Sequence, residues 1–197
     1  MINKLKTMVI ILGIISSLSL TRSAGESLDL PVLSTIVVES MTDDRLETYL
    51  YEMARRESNN NAAVVNRLGF MGKYQFSPRT LWGLGVQFQV TQKEFLDNEE
   101  LQDSAMVAYL RHNYNILRAV IEEYDGRTYN GIRMTTSGIL AGAHLIGPYG
   151  IRYYFDRTYR IKRGNRWVIP RIQDSNGTHV EEYIERFSGY DLEQALD

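Results

Sequence analysis

The 197-residue chain contains no cysteine. Disulfides, thiolate metal sites and a cysteine nucleophile are therefore excluded, and an exported form would be held together by its core alone. Histidine is almost as scarce. His112, His144 and His179 are scattered without ligand spacing, so neither a zinc centre nor another cofactor is expected. Long apolar runs are few: Met8 to Leu20, 13 residues, is too short for a comfortable membrane span. There are no internal repeats and no low-complexity tracts.

Lys4 and Lys6 precede that run, and small residues, Thr21 and Ser23, follow it. This is the grammar of a secretory signal, with a cut after Ser23; an uncleaved N-terminal anchor is the alternative. Removing residues 1–23 takes three of the 22 basic residues and leaves 19 against 24 acidic ones, a net charge of −5. The charge is lopsided. Arg152, Arg157, Arg160, Lys162, Arg163, Arg166 and Arg171 face Asp156 alone over 152–171. An acidic body with one basic strip suggests an anionic ligand met locally, not a general nucleic-acid binder. Hydrophobic residues make up 44% of the chain, enough for one domain with a core.

Residues 24–41 show no periodicity and read as a linker, with a domain over 42–197. Thr42 is a candidate N-cap for a helix whose buried face is Leu46, Tyr49, Leu50, Met53 and Ala54. Glu57 follows Met53 by four residues and lies at the end of that same face. Ser58 to Asn61 then break the helix. Ser77-Pro78 starts a short helix ending near Gly83, and the Thr91-to-Glu94 capping box starts another. Asn98 caps a long helix over about 99–124, with an apolar stripe of Leu101, Ala105, Ala108, Tyr109, His112, Ile116, Ala119 and Val120. His112 is thus expected in the core. The small, apolar segment up to Gly147-Pro148 predicts a central helix packed on all sides. A hairpin turning at Gly164-Asn165 is predicted near 158–169, and a capping box from Thr178 to Glu181 opens the last helix. Asp174 to Gly177 reads as the turn approaching it, too short for a calcium loop. The fold is mainly α, one domain with a small β-hairpin.

A carboxylic acid that donates a proton at neutral pH needs apolar surroundings on one side. Glu57, at the end of an apolar face, meets that need. The adjoining segment carries Gly69 and Gly72, where backbone can approach a ligand, together with Phe70, Tyr74, Phe76 and Gln75. A glutamate beside aromatics and amides suits glycoside cleavage, although a surface role at a helix end is also open.

The segment from Glu57 to Pro78 resembles the signature of the lytic transglycosylases of the lysozyme-like superfamily. Glu57-Ser58, Gly69, Gly72, Gln75 and Pro78 match its glutamate-serine pair and its glycine-x-x-glycine-x-x-glutamine-x-x-proline run. Ala143, Gly147 and Pro148 match a downstream motif, where His144 replaces a tyrosine and Leu145 an asparagine. The resemblance, strongest to a branch of small exported bacterial proteins, covers about residues 43–191. It implies cleavage of the β-1,4 bond between N-acetylmuramic acid and N-acetylglucosamine in peptidoglycan, outside the cytoplasm, in the periplasm or cell envelope. One glutamate, Glu57, would act as acid and then base and leave 1,6-anhydro ends. Ser58, Gly72, Tyr74, Gln75, His144 and Tyr149 are the expected substrate-binding residues. A hydrolytic muramidase would need a second carboxylate, for which Asp97 and Asp103 are the nearest candidates; a structural role suits Asp103 better. The expected partners are glycan strands, with a monomeric protein and possible membership of an envelope secretion or assembly complex. The departures at His144 and Leu145 keep open a non-catalytic wall-binding domain.

Overall fold

The computed structural model describes residues 45–192 and residue 196. The signal, the linker and the Thr42 cap lie outside the described residues. Helix α1 occupies 45–58, and the expected face is the buried one: Tyr49, Met53 and Ala54 are sealed, with Leu46 and Leu50 packed beside them.

The chain then makes a compact loop over 59–76. Single bridges join Val65 to Met71 and Met71 to Phe76, so this strip is a miniature three-ply β structure. Helix α2, Pro78–Leu84, starts as predicted, with Ser77 accepting from the Thr80 N–H and proline in the first turn. A 3-10 turn, Val86–Phe88, leads to α3, Gln92–Leu96, which opens on the Thr91/Glu94 capping box.

Helix α4, Glu99–Tyr124, runs 26 residues from an Asn98 cap, with Glu99 and Glu100 in the first turn where the helix dipole favours them. Its buried face corrects the predicted one. Gln102, Ala105, Met106, Leu110, Asn113, Leu117 and Ile121 point inward, while His112 is exposed. Two polar residues, Gln102 and Asn113, sit inside the buried stripe, so hydropathy alone favours the neighbouring face.

A two-residue Asn130-Gly131 turn joins β1, Thr128–Tyr129, to β2, Ile132–Arg133, with Tyr129 opposite Ile132. Helix α5, Thr136–Ile146, is capped by Thr135 and fully buried from Thr136 to Ala143. Asp125 at the end of α4 accepts from the Thr136 N–H at 2.7 Å and ties the two helices together. Burying Ile139 and Leu140 contributes about 1.5–3 kcal/mol each. A Cβ at Gly138 would lie 2.5 Å from the Ile184 carbonyl, so only glycine lets α5 approach the last helix this closely.

Helix α6, Pro148–Phe155, follows at once, a helix that the sequence reading lacked. The hairpin of β3, Ile161–Arg163, and β4, Arg166–Val168, pairs Lys162 with Trp167 and lies where predicted. Helix α7, Val180–Arg186, has His179 at its N-cap, where the His179 N–H donates to the Glu182 carboxylate at 3.3 Å, one residue later than the Thr178/Glu181 box expected. The Thr178 N–H is instead taken by Asp174 at 2.7 Å, which holds Thr178 in the preceding turn. Among the described residues the architecture is mainly α with two separate antiparallel strand pairs.

Candidate functional site

Glu57 ends α1 on the core side, yet 16% of its side chain remains exposed. It lines a cleft of about 490 Å³ whose walls come from α1, the 59–76 loop, α5, the 171–178 segment and α7. Tyr183 on α7 donates its hydroxyl to Glu57 Oε1 at 2.5 Å. Burial raises the Tyr183 phenol well above its ordinary pKa, and the adjoining Glu57 charge adds to this, so the phenol stays a donor. The Arg56 guanidinium lies 5.3 Å from the Tyr183 ring centroid.

His144 approaches the same oxygen from α5, with Nε2 3.8 Å from Oε1. Its ring sits edge-on against Phe76 and Tyr109. Burial lowers its pKa below the ordinary imidazole value, against the opposing pull of Glu57 and the Tyr74 backbone. Nδ1 is buried and makes no hydrogen bond of ordinary geometry. Glu57 therefore faces a phenol held neutral and an imidazole biased toward neutrality.

Gln75 also lines the cleft. Its backbone is held at φ 52°, in the left-handed region that non-glycine residues seldom adopt, and its side-chain amide bonds the Gly72 carbonyl at 2.9 Å. The other expected site residues lie elsewhere. Tyr74 is a core residue, 2% exposed, whose hydroxyl donates to Asp103 at 2.5 Å. Lys73 Nζ meets the same carboxylate at 2.8 Å, which gives Asp103 the structural role expected of it. Asp97 pairs with Lys93, and neither Asp97 nor Asp103 lines the Glu57 cleft.

Ser58 stitches the end of α1 to the loop: its hydroxyl donates to the Lys73 carbonyl at 2.9 Å and accepts from the Asn61 N–H at 3.0 Å. Gly72 is required by packing, since a Cβ there would lie 2.5 Å from Gln102 Oε1. Gln102 is itself the loop's anchor. It accepts from the Lys73 N–H at 2.8 Å and donates to the Ala62 and Phe95 carbonyls at 3.1 and 2.9 Å. Tyr149 stands half exposed in a neighbouring cleft.

The sequence reading did not single out Arg56, Tyr109, Arg171, Asp174 or Tyr183 for this cleft. Tyr183 was legible only as part of a buried helix face; its meeting with Glu57 spans 126 residues. Asp174 is the second carboxylate at the cleft. Its Oδ1 accepts from the Asn176 and Thr178 N–H groups at 2.9 and 2.7 Å, and Oδ2 accepts from the Asn176 amide at 3.3 Å. Asp174 is thus committed to its own turn. Among the described residues, no three His, Asp or Glu side chains converge as a metal site requires, and no helix is long and apolar enough to cross a membrane.

Comparison of the chain with known protein families, with curated proteins and with solved structures finds no match.

Proposed function

We propose that the chain is an exported peptidoglycan lytic transglycosylase with a lysozyme-like catalytic domain over 42–197, following a signal at 1–23 and a linker at 24–41. Glu57 is its single acid and base. The carrying observation is the setting of Glu57: one oxygen is held by Tyr183 at the end of a buried helix face, within a cleft of about 490 Å³. No described residue hydrogen-bonds Oε2, which leaves that oxygen available to a substrate.

In the proposed reaction the protonated carboxyl gives its proton to the glycosidic oxygen as the bond from muramyl C1 breaks. The resulting carboxylate then takes the proton of the muramyl C6 hydroxyl, whose oxygen bonds C1 and closes the 1,6-anhydro ring. Glu57 ends protonated, as it began. This route needs one carboxyl group. It suits a cleft whose other carboxylate, Asp174, spends its lone pairs on a turn. Burial biases His144 toward the neutral imidazole, so it brings no positive charge beside Glu57.

Arg56 and Arg171 bring positive charge to the cleft, which suits the carboxylates of muramic acid and its peptide. The direct test is the Glu57→Gln variant, which keeps shape and loses the proton. Turbidity of a peptidoglycan suspension should fall with the wild-type chain and stay constant with an equally folded Glu57→Gln. Equal clearing by both would end this assignment; retained glycan binding without clearing by either would point to a wall-binding domain.

A further inference from the structure

The β3–β4 hairpin lines no part of the Glu57 cleft. Its register sets side chains in pairs: Lys162 stands opposite Trp167, and Arg163 stands opposite Arg166 beside the Gly164-Asn165 turn. Residues paired in this way share a face of the ribbon, and like charges set directly opposite one another destabilise a strand pair. Arg157, Arg160, Lys162, Arg163 and Arg166 are all exposed. No described residue forms an ion pair with Lys162, Arg163 or Arg166. Asp156, the one carboxylate over 152–171, spends Oδ1 on the Thr158 N–H and hydroxyl at 2.8 and 2.6 Å. The described chain thus supplies the arginine pair with no counter-ion. A phosphate from outside could accept from both guanidinium groups at once.

Charge is half of the pattern. Trp167 is 69% exposed and Ile169 54% exposed, bare apolar side chains among the cations. A nucleic acid would engage the arginines and stack on the indole, but it offers an aliphatic side chain nothing to enter. Tryptophan suits the boundary between water and lipid, with an apolar ring and a polar N–H, while lysine and arginine stems reach from apolar depth to charged headgroups. An anionic bilayer offers a plane of phosphates directly above an apolar layer. The chain as a whole carries a net charge of −2, so attraction to such a surface belongs to this strip and not to the protein at large.

We propose that the β3–β4 hairpin docks on an anionic phospholipid bilayer, with Arg163 and Arg166 sharing a lipid phosphate, Lys162 adding charge, and Trp167 and Ile169 entering the acyl boundary. A two-stranded ribbon that enters tip-first presents both faces to the headgroup layer, so the arginine pair and the indole engage together. The proposal goes beyond the glycan-cleaving reading and does not rest on it.

Trp82 and Trp167 are the two tryptophans of the chain, so Trp82→Phe leaves Trp167 as the sole indole reporter. The full chain carrying this change would be mixed with vesicles of phosphatidylcholine alone, and with vesicles containing an equal share of phosphatidylglycerol, with and without bromine on the acyl chains. Trp167 emission should shift to the blue and be quenched by the brominated anionic vesicles, and stay unchanged with phosphatidylcholine alone. In the companion Trp167→Phe chain, Trp82 should remain unquenched. Adding Arg163→Gln and Arg166→Gln relieves the like-charge pair, so the chain should fold at least as stably. The lipid concentration for half-maximal quenching should then rise about 25-fold, at about fivefold for each cation at an anionic surface. Peptidoglycan clearing in the absence of lipid should be unchanged by the two substitutions. No quenching of Trp167, equal quenching of Trp82, or unchanged affinity in the arginine variant would overturn the proposal. A blue shift with duplex DNA and none with vesicles would make the hairpin a nucleic-acid contact instead. A loss of clearing that matches the loss of vesicle binding would reassign the arginines to the glycan. Quenching of Trp167 by a wild-type-hairpin chain that leaves peptidoglycan uncut would refute the catalytic reading and preserve the lipid surface.

Discussion

Gln102 is the residue whose loss should disturb the Glu57 cleft most without touching it. It is fully buried on α4, and its amide reaches three residues in two segments: Lys73 and Ala62 in the loop, and Phe95 at the end of α3. Gln102→Leu keeps much of the volume and removes every one of these bonds. The Phe95 carbonyl retains the Asp97 N–H as a partner, so it is not orphaned. The Lys73 N–H and the Ala62 carbonyl have no such substitute. The buried Lys73 N–H left unpaired costs about 1–3 kcal/mol, the half-buried Ala62 carbonyl costs less because water can reach it, and the added apolar burial of leucine returns part of that sum. A net loss of about 2 kcal/mol is expected, which for a chain of this size lowers the melting temperature by about 4–8 °C. Calorimetric and urea unfolding of wild type and Gln102→Leu give the comparison. Hydrogen exchange should show the 62–76 amides opening before the α5 core. A change below about 1 kcal/mol, or unchanged protection of 62–76, would refute the anchor role.

Three further outcomes follow from neighbouring contacts. Gly72→Ala places a Cβ against Gln102 and holds alanine at φ 74°, so a loss of about 2–4 kcal/mol is expected in urea unfolding. Tyr183→Phe removes the donor that fixes Glu57; peptidoglycan turnover should fall about tenfold with KM little changed, since Glu57 is partly exposed and can rehydrate. The folded His144 binds its proton more weakly than the unfolded chain does. Stability from keeping it neutral is present above the ordinary value near 6.5 and lost as pH falls toward the lower folded value. Melting temperature should therefore fall more steeply below pH 6.5 in wild type than in His144→Gln; parallel curves would refute a buried, proton-excluding imidazole.

Local patterns carried most of the helical reading. The Asn98 cap, the Thr91/Glu94 box and the Ser77-Pro78 start are formed by neighbours in sequence, and each stands where expected. The position of Glu57 at the end of a buried face followed from helical spacing alone. The α4 face did not, because two polar residues lie in it: Gln102, which bonds other segments, and Asn113, which hydropathy assigns to the surface. Helix α6 was missed because Gly147-Pro148 reads as a stop, whereas the proline serves as the first residue of the next helix. The β1–β2 hairpin had a signal, Asn130-Gly131 between Tyr129 and Ile132, that the reading passed over. In the site, Tyr74 and Gly72 belong to the support of the loop, while Tyr183 and Asp174 arrive from beyond residue 170. Spacing cannot reveal a contact closed over that distance.

The central claim, a lone catalytic glutamate that closes an anhydro ring, is met most directly by identifying the muramyl ends released from purified peptidoglycan. Residues 24–197 and the matching Glu57→Gln variant would be incubated with the polymer and the fragments weighed by mass spectrometry. Fragments ending in 1,6-anhydromuramic acid with wild type, and none with Glu57→Gln, are the predicted result. Reducing muramyl ends, or equal release by both proteins, would contradict it.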